Sequence, residues 1–226
     1  MELRDVMRTT GAARELTDEP VPPEVVREVL DNARFAPSGG NRQGWRVVVV
    51  QDPEVRRELS ERYALAWREY AAHVAEGLVP FAPGPDGRWT EPAIDLDAAR
   101  AADHPTPFAD TIRTAPVVLV VVADLTQLAV VDNGLDRQSI VGGASIYPFC
   151  QNVLLAARDQ GLAGVMTTVL CRQEPAVAEL LRIPPGHALA ALIVLGHPPR
   201  HVTRLRRKAV EAFTTVDRLD GPPFTG

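Results

Sequence analysis

One polar connector between two apolar segments constrains this chain more than any other stretch. Residues 36–45 read Ala-Pro-Ser-Gly-Gly-Asn-Arg-Gln-Gly-Trp and separate an amphipathic segment from the valine run 47–50. Pro37 biases the residue before it away from the helical region, while Gly39 and Gly40 tolerate positive φ and let another molecule approach the backbone. The pattern predicts a helix, a tight polar turn and a buried strand.

The same connector carries side chains that can bind a flat polar ligand. Ser38, Asn41 and Gln43 supply a hydroxyl and two amides, which both donate and accept hydrogen bonds. Taken alone, however, the stretch is more simply explained as a helix-to-strand turn built from common turn residues. Only the other motifs of the chain, considered together with this stretch, favour a ligand site.

Length and composition predict the class of protein. A chain of 226 residues, of which 46% are hydrophobic and 23% charged, can bury a sizeable core in one domain over residues 1–226. Its longest apolar run, residues 117–123, is much shorter than a bilayer requires, and the N-terminus has no apolar signal region. We therefore expect a single cytoplasmic domain with no membrane partner.

Charge and cysteine content argue against two further classes. The net charge of -5 is opposite in sign to the basic footprint of a general nucleic-acid binder. Cys150 and Cys171 are too far apart for a metal or redox motif, and the five histidines lack metal-ligand spacing. We expect reduced core cysteines, no metal and no nucleic-acid partner.

Hydrophobic periodicity predicts helices and strands that interleave without strict alternation. Helices are expected over residues 2–8, 23–35, 53–76, 95–102, 146–160 and 174–181. Strands are expected over residues 46–50, 117–123, 165–168, 188–195 and 214–216. The unbroken valines of 46–50 place that strand inside a sheet. No glycine-rich dinucleotide fingerprint follows a strand, so the expected class is α+β.

A proline-rich stretch over residues 77–110 has no sustained periodicity. We expect a long cover loop with one short helix, and loops of this length in compact domains tend to be functional or disordered. Phe81, Trp89 and Phe108 either cover a pocket or anchor the loop to the body. Both alternatives remain open from the sequence.

Four pieces of the chain, taken together, resemble the nitroreductase family of flavin enzymes. They are residues 20–22, the connector 36–45, residues 151–157 with 161–162, and residues 183–185 leading to 195–198. Their order and spacing are similar to the family across residues 6–218. The resemblance implies an α+β fold with a central mixed β-sheet flanked by helices. It also implies a homodimer that exchanges its C-terminal segments.

The resemblance further implies FMN as the cofactor, bound at the dimer interface, with NADH or NADPH as the electron donor. A flavin phosphate needs arginine or lysine forks, and the ring needs donors and acceptors along one edge. By correspondence, the residues expected at the cofactor are Arg8, Thr10, Arg14, Pro37, Ser38, Gly39, Asn41, Gln43, Gln151, Met166, Thr167, Thr168, Arg206, Arg207 and Lys208. Because the flavin carries the hydride chemistry, no catalytic side chain is expected.

Two positions depart from the family pattern. Residues 10–14 read Thr-Gly-Ala-Ala-Arg where many relatives have Arg-Arg-Ser-x-Arg, so a phosphate-pairing arginine is missing. A charge-assisted hydrogen bond is worth about 1.5 to 3 kcal/mol, so an uncompensated loss weakens FMN binding about ten- to hundredfold. Arg8, one helical turn earlier, compensates for the missing arginine if its side chain reaches the phosphate. Gly44 replaces a usual proline and is expected to loosen the connector.

The leading hypothesis is an FMN-dependent oxidoreductase that uses NADH or NADPH to reduce a small flat acceptor, such as a nitroaromatic or a quinone. Two alternatives stay open. One is a flavin-holding protein with little turnover, and the other is a specialised flavin dehydrogenase of a biosynthetic pathway, with specificity carried by residues 77–110. The basic residues Arg206, Arg207 and Lys208 bind phosphate in the leading hypothesis and otherwise form a solvated surface.

Overall fold

The computed structural model describes residues 1–84, 87–89 and 92–226, and a four-stranded antiparallel sheet lies at its centre. The strands are β1 (Trp45–Val49), β2 (Val117–Asp124), β3 (Ala163–Thr167) and β4 (His187–Gly196). They lie in the order β1-β2-β4-β3, which puts the most apolar strands, β2 and β4, in the middle. A parallel bridge between Ala12 and Gly164 adds the N-terminal segment at the β3 edge.

Seven α-helices flank this sheet in the described residues. They are α1 (Leu3–Thr9), α2 (Pro23–Ala33), α3 (Pro53–Ala75), α4 (Leu96–Ala101), α5 (Pro107–Thr114), α6 (Tyr147–Asp159) and α7 (Glu174–Leu181). Proline opens α2, α3 and α5, where its fixed φ suits a helix and its missing N–H costs nothing. Asp52 caps α3 by accepting a hydrogen bond from the Glu54 N–H at 2.8 Å.

The sheet is covered on both faces, which explains why β2 is apolar along its whole length. Helices α2 and α6 pack on one face, where Leu119 contributes to a core with Val29 and Phe149. On the other face α3 and α5 pack over Val118, Val120 and their neighbours. Successive side chains of a strand point to opposite faces, so a strand between two helical layers has no polar side.

Three expectations from periodicity are wrong. The valine strand is not inside the sheet: β1 pairs only with β2 among the described strands, and Val49 is 42% exposed. Pairing order is a non-local property that a short valine run does not report. Helix α5 was missed because its proline signals a break as readily as a helix start. The strand expected at 214–216 is only an isolated bridge between Thr215 and Pro223.

The stretch 77–110 is partly helical. Pro85, Asp86, Thr90 and Glu91, which belong to the expected cover loop, lie outside the described residues; the described part contains α4 and the first turn of α5. Phe108 is buried and meets Tyr63 edge to face at 5.2 Å, so this aromatic residue anchors the stretch to the body. Among the described residues, none of the helices combines the length and apolar character needed to cross a membrane.

Candidate cofactor site

The connector 36–45 folds into an exposed turn at the entrance to β1. Gly39–Asn41 form a single 3-10 turn in which Gly40 and Asn41 have φ of 60° and 55°, and Gln43 follows at 52°. A residue with a Cβ in this left-handed region costs about 1 to 2 kcal/mol, and such residues cluster at ligand sites. The pair Asn41 and Gln43 therefore favours the ligand interpretation over a plain turn.

Hydrogen bonds hold the connector in this conformation. The Gln43 N–H donates to Ser38 Oγ at 2.9 Å, and the Gln43 side-chain amide donates to Asn41 Oδ1 at 3.1 Å. The Gly39 N–H donates to Ser145 Oγ at 3.0 Å, which ties the turn to the segment before α6. Pro37, Gly39, Asn41 and Gln43 remain exposed, so the turn is rigid and yet open to a ligand.

Packing beneath the turn contradicts the expectation of a loose connector. Gly44 is buried, its carbonyl accepts the Asp124 N–H at 2.7 Å, and an added Cβ would lie 2.9 Å from Gln127 Cβ. The next residue, Trp45, stacks on Phe149 of α6 with ring centroids 4.9 Å apart. Glycine is required here because strand and loop approach too closely for a side chain.

Three arginines from the two ends of the chain meet in one cleft. Arg8 and Arg207 line a cavity of about 440 Å³ together with Arg204 and Thr203, and we call this region the arginine cleft. Within the described ranges, none of its arginines forms an ion pair with a carboxylate. A cluster of unpaired guanidinium groups attracts phosphate or another anion. Arg204 was not among the residues expected from the sequence.

Arg206 and Lys208 are exposed beside the cleft without lining it. The Arg206 carbonyl accepts a hydrogen bond from Arg207 Nη1 at 2.8 Å. Of the basic residues 204–208, only Arg204 and Arg207 therefore line the cleft.

Thr10 lies in a separate small cavity beside Arg158 and His201. It follows the last residue of α1, and its hydroxyl donates to the Val6 carbonyl at 2.6 Å. Arg158 donates to Thr9 Oγ1 at 3.1 Å and contacts His201 Nδ1 at 3.0 Å. Burial and the Arg158 charge lower the pKa of His201 below its ordinary value.

Arg158 was also missed from the sequence. It lies seven residues after Gln151 on α6, two helical turns along the same face, and this spacing was the available signal. Its guanidinium brings a positive charge close to the 10–14 segment, from which an arginine is missing.

Arg14 and Thr167 both influence Tyr63, a buried tyrosine of α3. Burial raises the pKa of Tyr63, and the Thr167 side chain and the Arg14 charge oppose that rise. Met166 is half-buried, whereas Thr168 and Gln151 are exposed. The N-terminal segment and the end of β3 thus form one continuous surface.

Apart from the arginine cleft and the cavity at Thr10, the expected site residues lie at two opposite edges of the sheet. The connector precedes β1 at one edge of the sheet, and residues 166–168 end β3 at the other edge. Three strand spacings separate these edges, which is about 14 Å. We call the connector, and Arg14 and Thr167 with their neighbours, the two expected half-sites.

The cysteines and histidines form no competing metal or redox site in the described part of the chain. No group of three or more His, Cys, Asp or Glu side chains is placed to hold a metal ion there. Both cysteines are free, and burial raises the pKa of Cys150 to about 12 and that of Cys171 to about 11. Thiols with such pKa values stay protonated and unreactive at neutral pH.

Comparison with known proteins decides the family. The family model described as "Nitroreductase family" matches residues 8–197, which is most of the chain. The chain belongs to the nitroreductase family. It is accordingly an enzyme of the oxidoreductase class with a nitroreductase-like fold, and the resemblance noted in the sequence is confirmed.

Curated relatives of this nitroreductase-family chain have two kinds of name. Iodotyrosine deiodinase 1 of Rattus norvegicus is 28% identical over 212 residues, covering 93% of this chain and 67% of the relative. Nitrobenzene nitroreductase of Ectopseudomonas oleovorans is 27% identical over 223 residues, covering 93% of this chain and 95% of the relative.

A solved structure shares the fold. The NADPH:FMN oxidoreductase of Vibrio harveyi complexed with NAD+ superposes with a TM-score of 0.64 at 20% identity, covering 96% of this chain and 77% of that chain. At this identity the likeness concerns the fold alone.

Proposed function

We propose that this chain is an FMN-dependent oxidoreductase that uses NADH or NADPH to reduce a small flat acceptor such as a nitroaromatic or a quinone. The observation that carries the proposal is the arginine cleft, whose guanidinium groups lack a carboxylate partner in the described ranges. A phosphate monoester close to doubly charged is the kind of anion that such a cleft binds.

The residues of the arginine cleft and of the connector have the chemistry that FMN requires. Arg8 and Arg207 hold the phosphate, and the exposed amides of Asn41 and Gln43 hydrogen-bond the polar edge of the ring. Gly39 leaves room for close approach, since an added Cβ would have no contact nearer than 3.5 Å. When bound, the flavin supplies the hydride chemistry, so the protein binds, orients and excludes water.

A homodimer joins the two half-sites. Because the connector and residues 166–168 lie at opposite edges of the sheet, a two-fold related partner can place its connector against the other half-site. The exposed β1 edge borders a groove of about 600 Å³ lined by Leu30, Val49 and neighbouring residues. We propose that the C-terminal segment of the partner fills this groove, because Phe213 and Leu219 are 67% and 96% exposed in the single chain.

The absorption spectrum of the purified protein tests the cofactor. We expect a visible flavin spectrum, either as purified or after incubation with FMN, that bleaches on anaerobic addition of NADH or NADPH and returns with the acceptor. A protein that stays colourless after incubation with FMN contradicts the proposal. Bound flavin that neither nicotinamide bleaches favours the flavin-holding alternative, and turnover with only one dedicated substrate favours the specialised dehydrogenase.

A second candidate function is reductive dehalogenation of a halogenated aromatic compound. The 28% identity to a protein named iodotyrosine deiodinase favours it. Two electrons and a proton would replace the carbon–halogen bond by carbon–hydrogen and release halide. Release of iodide from iodotyrosine with reduced enzyme tests this candidate, and its absence, with nitroaromatic reduction intact, excludes it.

The cytoplasmic location and the single domain over residues 1–226 stay predictions. The single domain is supported by the membership of all four described strands in one sheet. Limited proteolysis that releases a stable fragment with its own cooperative unfolding would contradict it.

A further inference from the structure

A buried carboxylate on α3 joins segments that are distant in the sequence. Glu69 has no exposed surface and accepts hydrogen bonds from Arg100 at 2.7 Å and from Arg172 at 3.0 Å. Arg100 belongs to α4, and Arg172 belongs to the 3-10 turn Val169–Gln173 that follows Thr168. We call Glu69 and its two arginines the Glu69 cluster.

Arg172 has a second partner on its other side. Its guanidinium carbon lies 4.5 Å from the ring centroid of Trp89 and 5.8 Å from that of Phe81. The two rings meet edge to face at 5.0 Å, and His73 of α3 packs against both. A guanidinium is attracted to the negative face of an aromatic ring, most strongly to tryptophan. One arginine therefore links the expected cover loop to a buried carboxylate.

The other end of this link reaches the proposed flavin segment. The Val169 N–H donates to Thr167 Oγ1 at 3.3 Å, and the Cys171 N–H donates to the Thr168 carbonyl at 3.0 Å. The turn that carries Arg172 is thus hydrogen-bonded to the end of β3. Because the Cys171 N–H that bonds the Thr168 carbonyl belongs to the residue before Arg172, a shift of the backbone at Arg172 is transmitted to Thr168 through this short turn.

We propose that Arg172, held by Glu69, is a positioning residue that couples Trp89 in the 77–110 stretch to Thr167 and Thr168. Trp89 and the backbone expected to face the flavin then move together. The coupling itself follows from the contacts of the chain, and it rests on the proposed function only in that Thr167 and Thr168 face the flavin. Its consequence is that acceptor binding and ring position are linked.

A matched pair of variants tests the coupling. Arg172→Met and Arg100→Met each remove one of the two ion pairs of the same carboxylate, but only the first also removes the contact with Trp89. Hydrogen–deuterium exchange is measured on the purified chain without FMN. We expect Arg172→Met to raise exchange about three- to tenfold both at 163–168 and around Trp89, and Arg100→Met to raise it in α4 alone. The same pattern in both variants overturns the proposal.

Trp89→Leu tests the coupling from its other end and removes no buried charge. This variant should fold even if Arg172→Met does not, because Trp89 is only partly buried. Coupling is reciprocal, so we expect exchange at 163–168 to rise about threefold in this variant as well. Unchanged exchange at 163–168 overturns the proposal.

Kinetics of the flavin-loaded enzyme distinguish positioning from a merely structural role. In Trp89→Leu we expect the KM for the acceptor to rise several-fold while the rate of flavin reduction by the nicotinamide is unchanged. An equal loss in both half-reactions contradicts the assignment. If the chain binds no flavin, the proposed function fails while the exchange measurements still decide the coupling.

Discussion

The arginine cleft and the Glu69 cluster are built from the same residue type and differ in where the positive charges find a partner. In the cleft, the guanidinium groups face solvent and none pairs with a carboxylate of the described residues. In the cluster, two arginines close on a carboxylate with no exposed surface. The arginines of the cleft can therefore bind an external anion. The arginines of the cluster cannot, because both already pair with Glu69.

Removing the buried carboxylate gives the largest expected effect. Glu69→Ala should lower the free energy of unfolding by about 3 kcal/mol. Two charge-assisted hydrogen bonds are lost, and two partly buried guanidinium groups are left without a carboxylate partner. Urea denaturation measures it. The control is Glu61→Ala on the same helix, whose exposed ion pair with Arg57 contributes less than about 0.5 kcal/mol. Equal losses would show that the cluster is no stronger than a surface pair.

Removing an arginine of the arginine cleft should instead weaken the binding of FMN. Arg207→Ala is expected to raise the Kd for FMN about ten- to hundredfold with little change in unfolding free energy, because only the phosphate contact is lost. Titration of the apoprotein, followed by flavin fluorescence, measures this. Arg113→Ala, an exposed arginine at the end of α5, is the control and should leave the Kd unchanged. An unaltered Kd in Arg207→Ala would show that the FMN phosphate does not bind at Arg207.

The arginine cleft and the Glu69 cluster should also differ in their response to ionic strength. Salt screens exposed charges strongly and buried pairs weakly, so the Kd for FMN should rise with added NaCl. The destabilisation caused by Glu69→Ala should stay nearly constant over the same range. The comparison fails if FMN binding proves insensitive to salt, or if the cost of Glu69→Ala vanishes in high salt.

A second internal carboxylate extends the comparison to pH. Asp132 accepts hydrogen bonds from Ile140 N–H, Ser139 and Arg137, and these hold the pKa of its carboxyl well below the ordinary value of 3.8. Its contribution to stability is present above that unfolded value and is lost as pH falls through the lower folded value. The stability difference between wild type and Asp132→Asn should therefore be constant above about pH 5 and shrink in acid. Denaturation at several pH values measures it, and a constant difference down to the most acidic pH would contradict it.

Local signals in the sequence were sufficient for most of the fold. Helix α7 has the predicted bounds, and α2 and α3 begin at the predicted prolines, because proline, capping and periodicity act within a few residues. The position of β1 at the sheet edge was not predictable, since strand order depends on pairing between distant segments. The same limit hid the spatial neighbours of Arg158 and Arg204, which are distant from them in the sequence.

The sequence by itself determined the family, the α+β class and the connector as a polar turn before a strand, because each depends on residue types at fixed local spacing. Only the tertiary structure decided which arginines are paired with a buried carboxylate and which are left for a ligand. That division depends on contacts between segments up to about two hundred residues apart, such as Arg8 and Arg207, and electrostatic pairing follows distance in space.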